Sequence, residues 1–416
     1  MTQRTIFHID VNSAYLSWEA AHRLQHGDSL DLRTVPSVVG GDPTTRHGIV
    51  LAKSIPTKKY GIKTGETLYS ARTKCPELVI APPNYLLYQR CSTTMKEILE
   101  QYSPLIQQYS IDEYFLDYTN MNKLLGDPIE VATQIKDRIK HELGFTVNIG
   151  ISTNKLLAKM ACELEKPDKV HTLFPKEVPV KMWPLPIEDL FFVGRATSKK
   201  LHSRNITTIG QLATSDPHWL RLFLKSPGLL IWNYANGQDD SLVRTTRNIV
   251  KGMGNSTTIP FDVEDRQTAH LVLLSLVETV SMRLRQANVC AQLVSVSLRT
   301  SEFLSYSHQR KIPTPVDCTN QIHETVCELF DELWTGKGIR HLGVSVSELC
   351  KNDFIQLTLF TKNFEKQRAI DQTVDQLRLR FGSHAVIRSS FLNSGLKALT
   401  GGVIQDEDYP MMSSIL

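Results

Sequence analysis

None of the seven cysteines pairs with another as CxxC or joins a Cys/His ladder; they are scattered singly from Cys75 to Cys350. That spacing argues against both a zinc site and a disulfide framework, and makes a reducing compartment the simplest home. Long apolar runs are missing too. "LVLLSLV" is short and sits in an amphipathic pattern, well under the ~18 residues that cross a bilayer. The amino terminus enters "IFHIDV" without the basic, apolar and cleavage-site succession of a signal peptide. A soluble, cytoplasmic protein with no membrane partner is the expectation. Neither sign of charge dominates: 47 Lys and Arg against 43 Asp and Glu leave +4. Whole-chain charge therefore does not require a nucleic-acid partner, although it permits one where basic side chains gather on one face.

What is present begins with length. A chain of 416 residues exceeds one ordinary core, and ~150 residues per domain suggests two to four units. Three acidic residues then mark the ends of apolar runs: Asp10 in "IFHIDV", and Asp112 with Glu113 in "YSIDEYFLD". Such carboxylates suit a hard divalent cation such as Mg²⁺, and equally a solvated strand edge.

The first half alternates strand and helix. Asn12 or Ser13 can cap a helix through "AYLSWEAAHRL", which puts Tyr15 in its first turn beside Asp10. A looser segment rich in Gly, Thr, Pro and Lys runs to about residue 77. Ile129, Ala132, Ile135, Ile139 and Leu143 have helical spacing, and Gly144 stops that helix. "TVNIGIS" reads as a buried strand, giving an α+β layer around the acids.

"NKLLAKMACELEKP" reads as one helix capped by Asn154 and ended before Pro167, with Lys155, Lys159 and Lys166 on one narrow face. That face is either solvated or phosphate-neutralising. Short helices joined by Gly and Pro turns follow over about 168–240, then the basic, extended "LVRTTRNIVKG". Beyond it the order of elements is the split β-α-β-β-α-β arrangement. Val294, Val296 and Leu298 alternate with Ser295, Ser297 and Arg299, and Leu342, Val344 and Val346 with His341, Gly343, Ser345 and Ser347. The apolar face should carry the helices. The other suits either solvent or a sugar–phosphate backbone.

With "HIDVNSAY", "KKYGIKTG", "YSIDEYFLD", "GISTNKLLAKMACELEKP", "GNSTT" and "RHLGVSVS" in this order from Ile6 to about Leu349, the chain resembles the Y-family translesion DNA polymerases, in the DinB or bacterial DNA polymerase IV branch. The resemblance implies an α+β, multidomain right-hand polymerase. Its parts are a ferredoxin-like palm (1–11 and 78–167), small fingers (12–77) and a helix-hairpin-helix-like thumb (168–240). A linker (241–251), a β-α-β-β-α-β little finger (252–350) and a tail (351–416) follow.

Carried over residue by residue, it implies that Asp10, Asp112 and Glu113, with the Val11 carbonyl, hold two Mg²⁺ ions. Tyr15 matches the steric gate against a ribose 2′-hydroxyl. Lys58, Lys166 and the Ala14 backbone N–H match triphosphate contacts, and Ile49, Leu51 and Gly65 match the roof over the nascent base pair. Lys155, Lys159 and Arg299 are the expected DNA contacts. In the tail, Gln356, Leu357, Leu359 and Phe360 of "QLTLF" resemble the motif that docks on the bacterial sliding clamp. Partners would be primer–template DNA, a deoxynucleoside triphosphate and the clamp, with the polymerase a monomer.

Departures fall around the nucleotide. Asn12 stands where a second Asp is common, Ala14 where an aromatic precedes the gate, and Ala52 and Ile55 where a hydroxyl and an aromatic often occur. Lys58 replaces the usual arginine and brings charge without a bidentate fork; Lys53 or Ser54 could rebuild the grip on the triphosphate. "FVG" replaces the thumb's glycine-isoleucine-glycine. A non-catalytic adaptor that binds DNA and the clamp, and a UmuC-type subunit that needs accessory proteins, are the alternative readings.

Overall fold

The computed structural model describes residues 4–42, 44, 46, 48–245, 250–352, 364–396 and 398–399. Two units divide the chain, one built mainly from 1–40 and 50–247, the other from 41–49 and 248–414. The first begins β1 (Ile6–Val11), α1 (Ala14–Gln25), β2 (Ser37–Gly40), β3 (Val50–Lys53), α2 (Leu68–Lys74), β4 (Val79–Ala81) and α3 (Tyr85–Leu99). It continues β5 (Ile106–Gln108), β6 (Glu113–Asp117), α4 (Asn122–Leu125), α5 (Pro128–Leu143), β7 (Val147–Ser152), α6 (Lys155–Glu163) and β8 (Val170–Thr172). Four helices close it: α7 (Arg195–His202), α8 (Ile209–Ala213), α9 (Pro217–Leu224) and α10 (Ser226–Ala235).

β1 lies at the centre of a five-stranded sheet ordered β5-β6-β1-β7-β8. It runs antiparallel to both neighbours, so Asp10 stands opposite Glu113 on one side and Asn148 on the other. Every residue of β1 and β7 is buried, which is why both read as continuous apolar runs rather than alternating ones. α5 ends as expected at Gly144, with φ 76°, and begins at Asp127, whose carboxylate caps it by accepting from Ile129 and Glu130 N–H. α6 presses unusually close to β7. A Cβ on Gly150 would lie 2.0 Å from the Ala158 carbonyl oxygen and 2.4 Å from the Cys162 nitrogen, so only glycine admits this approach. The outer side of α6, through Leu157 and Met160, joins the core of the following helices with Met182, Leu201, Leu212 and Ile231.

β4 pairs in parallel with β2 in a small sheet ordered β3-β2-β4, which joins residues on both sides of position 77. One expectation is corrected here. α6 ends at Glu163, so Lys166 lies beyond the helix rather than on a shared face with Lys155 and Lys159.

The second unit runs β9 (Gly252–Val263), α11 (Arg266–Gln286), β10 (Val289–Thr300), β11 (Ser305–Val316), α12 (Thr319–Leu333), β12 (Ile339–Lys351) and α13 (Phe364–Phe381). Its sheet is ordered β11-β10-β12-β9 with antiparallel neighbours throughout. β9 and β10 are therefore parallel with β12 inserted between them, the split arrangement expected. Val294, Val296, Leu298, Leu342, Val344 and Val346 join α11 and α12 in one core, while Ser297, Arg299 and Ser345 are exposed. α13 docks on α11 through buried ion pairs. Arg285 is bonded to Asp371 and Asp375, and Glu278 to Arg378 and Arg388.

Candidate active site

The centre of the five-stranded sheet gathers the acids. Asp10 is the penultimate residue of β1, Glu113 opens β6 directly opposite, and the Asp112 carbonyl accepts the Val11 N–H at 3.1 Å. The adjacent pair diverges, Glu113 at the start of β6 and Asp112 in the bend just before it. Asp112 accepts the Ser110 hydroxyl, whereas Glu113 Oε1 accepts from Lys159 Nζ at 2.6 Å. Lys166 Nζ donates to Asp10 Oδ2, and to Glu163 Oε1 at 2.8 Å.

Burial drives the Asp10 carboxyl up to about 7, with Lys166 opposing and Glu113 and Asp112 adding to the rise. Burial also raises Asp112, against the Ser110 hydrogen bond. At Glu113 burial is opposed by the Lys159 ammonium, which holds the carboxyl below the usual carboxylate range. His8 Nε2 stands 3.9 Å from Glu113 Oε2, beyond hydrogen-bond length, so the close partner is Lys159. His8 itself is fully buried, which lowers its imidazole to about 4.

Among the described residues, no three His, Cys, Asp or Glu side chains converge as a ready-made metal cage. Instead, mutually repelling hard oxygen donors stand beside the Val11 backbone, with lysines at their edges. That donor set fits Mg²⁺, which takes one or two carboxylates and fills its shell with water and substrate phosphates.

Tyr15 lies in the first turn of α1, stacked on Tyr88 with ring centres 4.6 Å apart and edge-on to Tyr85. Ser13, the residue before that helix, adopts φ 53° without capping through its side chain. Asn12 is engaged just ahead of β7: its side chain donates to Thr146 Oγ1 at 3.1 Å. In the fingers, Lys58 is exposed on the turn Ile55–Tyr60. Ser54 is 1% exposed, its hydroxyl donating to Val35 O and accepting from Ser37 N–H. Lys53 Nζ donates to the Ile62 carbonyl. Ser54 is thus a structural bridge. Ile49 is exposed, Leu51 half-buried, and Gly65 sits at φ 86° with open space where a Cβ would point.

Comparison with known proteins places this geometry. The chain is 46% identical over 391 residues to DNA polymerase IV of Clostridium acetobutylicum, covering 94% of this chain and 98% of that one. Against DNA polymerase IV 2 of Bacillus subtilis it is 37% identical over 407 residues, covering 96% and 97%. A solved Y-family DNA polymerase chimera of Dbh and Dpo4 superposes with a TM-score of 0.72 at 20% identity, covering 84% of this chain and all of that one. The chain belongs to the Y-family of DNA polymerases. Three family models mark its parts: the impB/mucB/samB family over residues 9–163, the IMS family HHH motif over 175–206, and the impB/mucB/samB family C-terminal domain over 250–359.

In this Y-family polymerase the expected DNA lysines are occupied. Lys155 Nζ donates to Gln107 Oε1 at 3.0 Å and stands 5.0 Å from the Phe115 ring centre; Lys159 is spent on Glu113. Arg299 is exposed on β10, its Nε donating to Ser305 Oγ. Gln356, Leu357, Leu359 and Phe360 lie outside the described residues. Sequence reasoning missed the groups that hold the Lys166 loop. The buried Asn148 side chain donates to Glu165 O at 2.6 Å and Cys162 O at 3.1 Å, and Asp168 is bridged to Lys136 and Lys140. The lone amide in the apolar run "TVNIGIS" was the available signal. Among the described residues no helix is long and apolar enough to cross a membrane.

Proposed function

We propose that this polymerase extends a primer 3′-hydroxyl across damaged template by in-line attack on the α-phosphate of an incoming deoxynucleotide, with Asp10, Asp112 and Glu113 holding two Mg²⁺ ions. The observation that carries the reading is the register pair Asp10–Glu113 with Asp112 beside it at the centre of the sheet. The metals, when bound, supply Lewis-acid stabilisation of the attacking and leaving oxygens. Around them Lys166, held at Asp10, and the exposed Lys58 supply positive charge to the triphosphate, and Tyr15 bars a 2′-hydroxyl from the sugar. Ile49, Leu51 and Gly65, small or simply apolar, roof the nascent pair loosely, which suits tolerance of damaged bases. The exposed polar face with Ser297, Arg299 and Ser345 rides the sugar–phosphate backbone. Gln356, Leu357, Leu359 and Phe360 dock on the sliding clamp.

Primer extension with Mg²⁺ on the purified chain tests this. The native protein is expected to extend an undamaged and a lesion-bearing template, and Asp112→Ala to lose at least about a hundredfold in rate. No extension by the native protein would leave the DNA-binding adaptor as the better reading.

A further inference from the structure

Lys159 does something other than meet DNA. Its ammonium is 2.6 Å from Glu113 Oε1 and 5.4 Å from the ring centres of both Tyr109 and Phe191. Its side chain is 12% exposed, so a cation has been taken largely out of water, where a hydrogen-bonded counter-charge and aromatic faces are what keep it. The approach is built into the backbone. Gly150 lets α6 press onto β7, two strands from Glu113, with no room for a Cβ between them. On the far side of the carboxylate, the fully buried His8 ring closes the space near Oε2, and neither of its nitrogens has a hydrogen-bond partner. Glu113 is therefore walled by His8 and tied by Lys159.

We infer that Lys159 is a positioning residue for Glu113: it fixes the carboxylate in one rotamer, so that the group arrives at the cation already oriented. Groups that orient a metal ligand are typically worth about 10–100-fold in affinity or activity. The inference rests on Glu113 being a metal-holding carboxylate, as proposed above. A lysine on a DNA phosphate would behave differently, since its loss weakens DNA binding uniformly and lowers the salt slope by about one.

The experiment is a double-mutant cycle of Lys159→Met and Glu113→Gln, read in two ways: the single-turnover rate of primer extension with Mg²⁺, and Mn²⁺ binding followed by electron paramagnetic resonance. Lys159→Met is expected to lower the rate and weaken Mn²⁺ by about 10–100-fold, with DNA affinity and its salt slope unchanged. In the Glu113→Gln background it should add nothing further, and Lys159→Arg should restore most of the loss. Additive effects of the two substitutions overturn the inference, as does a reduced salt slope with Mn²⁺ affinity intact. If the native chain does not extend primers, the polymerase reading fails while the Mn²⁺ cycle still decides the Lys159–Glu113 coupling. Should Lys159→Met lose its fold, Lys159→Arg is scored against native: retained rate and Mn²⁺ affinity support the inference, and their loss with DNA binding intact overturns it.

Discussion

Tyr15, the proposed gate against a ribose 2′-hydroxyl, is also a packing residue. Its ring stacks on Tyr88 and meets Tyr85 edge-on, while part of it remains exposed. Stacking removes the rotamer freedom that would let the ring swing away from a bulkier sugar. Tyr15→Ala is therefore expected to lower discrimination against ribonucleotides by about ten- to hundredfold, the scale on which a pocket that merely excludes a group discriminates. Paired primer extensions with ribo- and deoxynucleotides measure it, and unchanged sugar selectivity would assign Tyr15 to packing alone. The strand ends that carry Asp10 and Glu113, and the place of Tyr15 in the first turn of α1, were legible in the sequence as apolar runs and a helix start; the role of a gate came only from the family resemblance. The partners of the lysines were not legible there. Helical periodicity tells which side of a helix a residue is on, and is silent on how deep that side lies; Lys159 reads as a solvated or phosphate-facing lysine until the closeness of α6 to β7 is seen.

That closeness belongs to the element. α6 carries Lys155 and Lys159 towards the sheet on one side and Leu157 and Met160 into the neighbouring helical core on the other, so it cannot shift outward without disturbing both. Gly150→Ala would set a methyl 2.0 Å from the Ala158 carbonyl oxygen, and the expected cost is about 1–3 kcal/mol or somewhat more. Denaturant unfolding should show the lower midpoint, and primer extension a fall larger than the stability loss alone explains, because Lys159 would be carried away from Glu113. A wild-type rate at a lowered midpoint would show that the helix adjusts without moving its lysines. The existence and kind of most elements were readable from apolar period and caps, as at α5 with its apolar spacing and Gly144. The pairing of β4 with β2 was not, since it joins segments far apart in the chain and no local signal marks it.

At the scale of the molecule, the tail is a third layer on the second unit. Asp371, Asp375 and Arg378 of α13 meet Arg285 and Glu278 of α11, and the Arg285 and Glu278 side chains are only 6% and 4% exposed. The charged residues of α13 read in the sequence as solvent-facing, because their partners lie on a helix far away in the chain. Replacing one member of such a buried set leaves the other charges uncompensated, which typically costs about 3–5 kcal/mol. Arg285→Met is thus expected to lower the unfolding free energy by that amount in denaturant unfolding, whereas loss of under about 1 kcal/mol would mean that water reaches the network. The order β11-β10-β12-β9 has a further consequence for the making of the protein. Among the described residues β9 is the first strand of its sheet to be synthesised, and the strand it pairs with, β12, is the last. At about 5–20 residues per second, the ribosome leaves β9 without its mate for several seconds, while the β10–β11 hairpin can already close. During that interval a twelve-residue strand offers its hydrogen-bonding edge to any other nascent copy, so the yield of folded enzyme should depend on how crowded the translating ribosomes are.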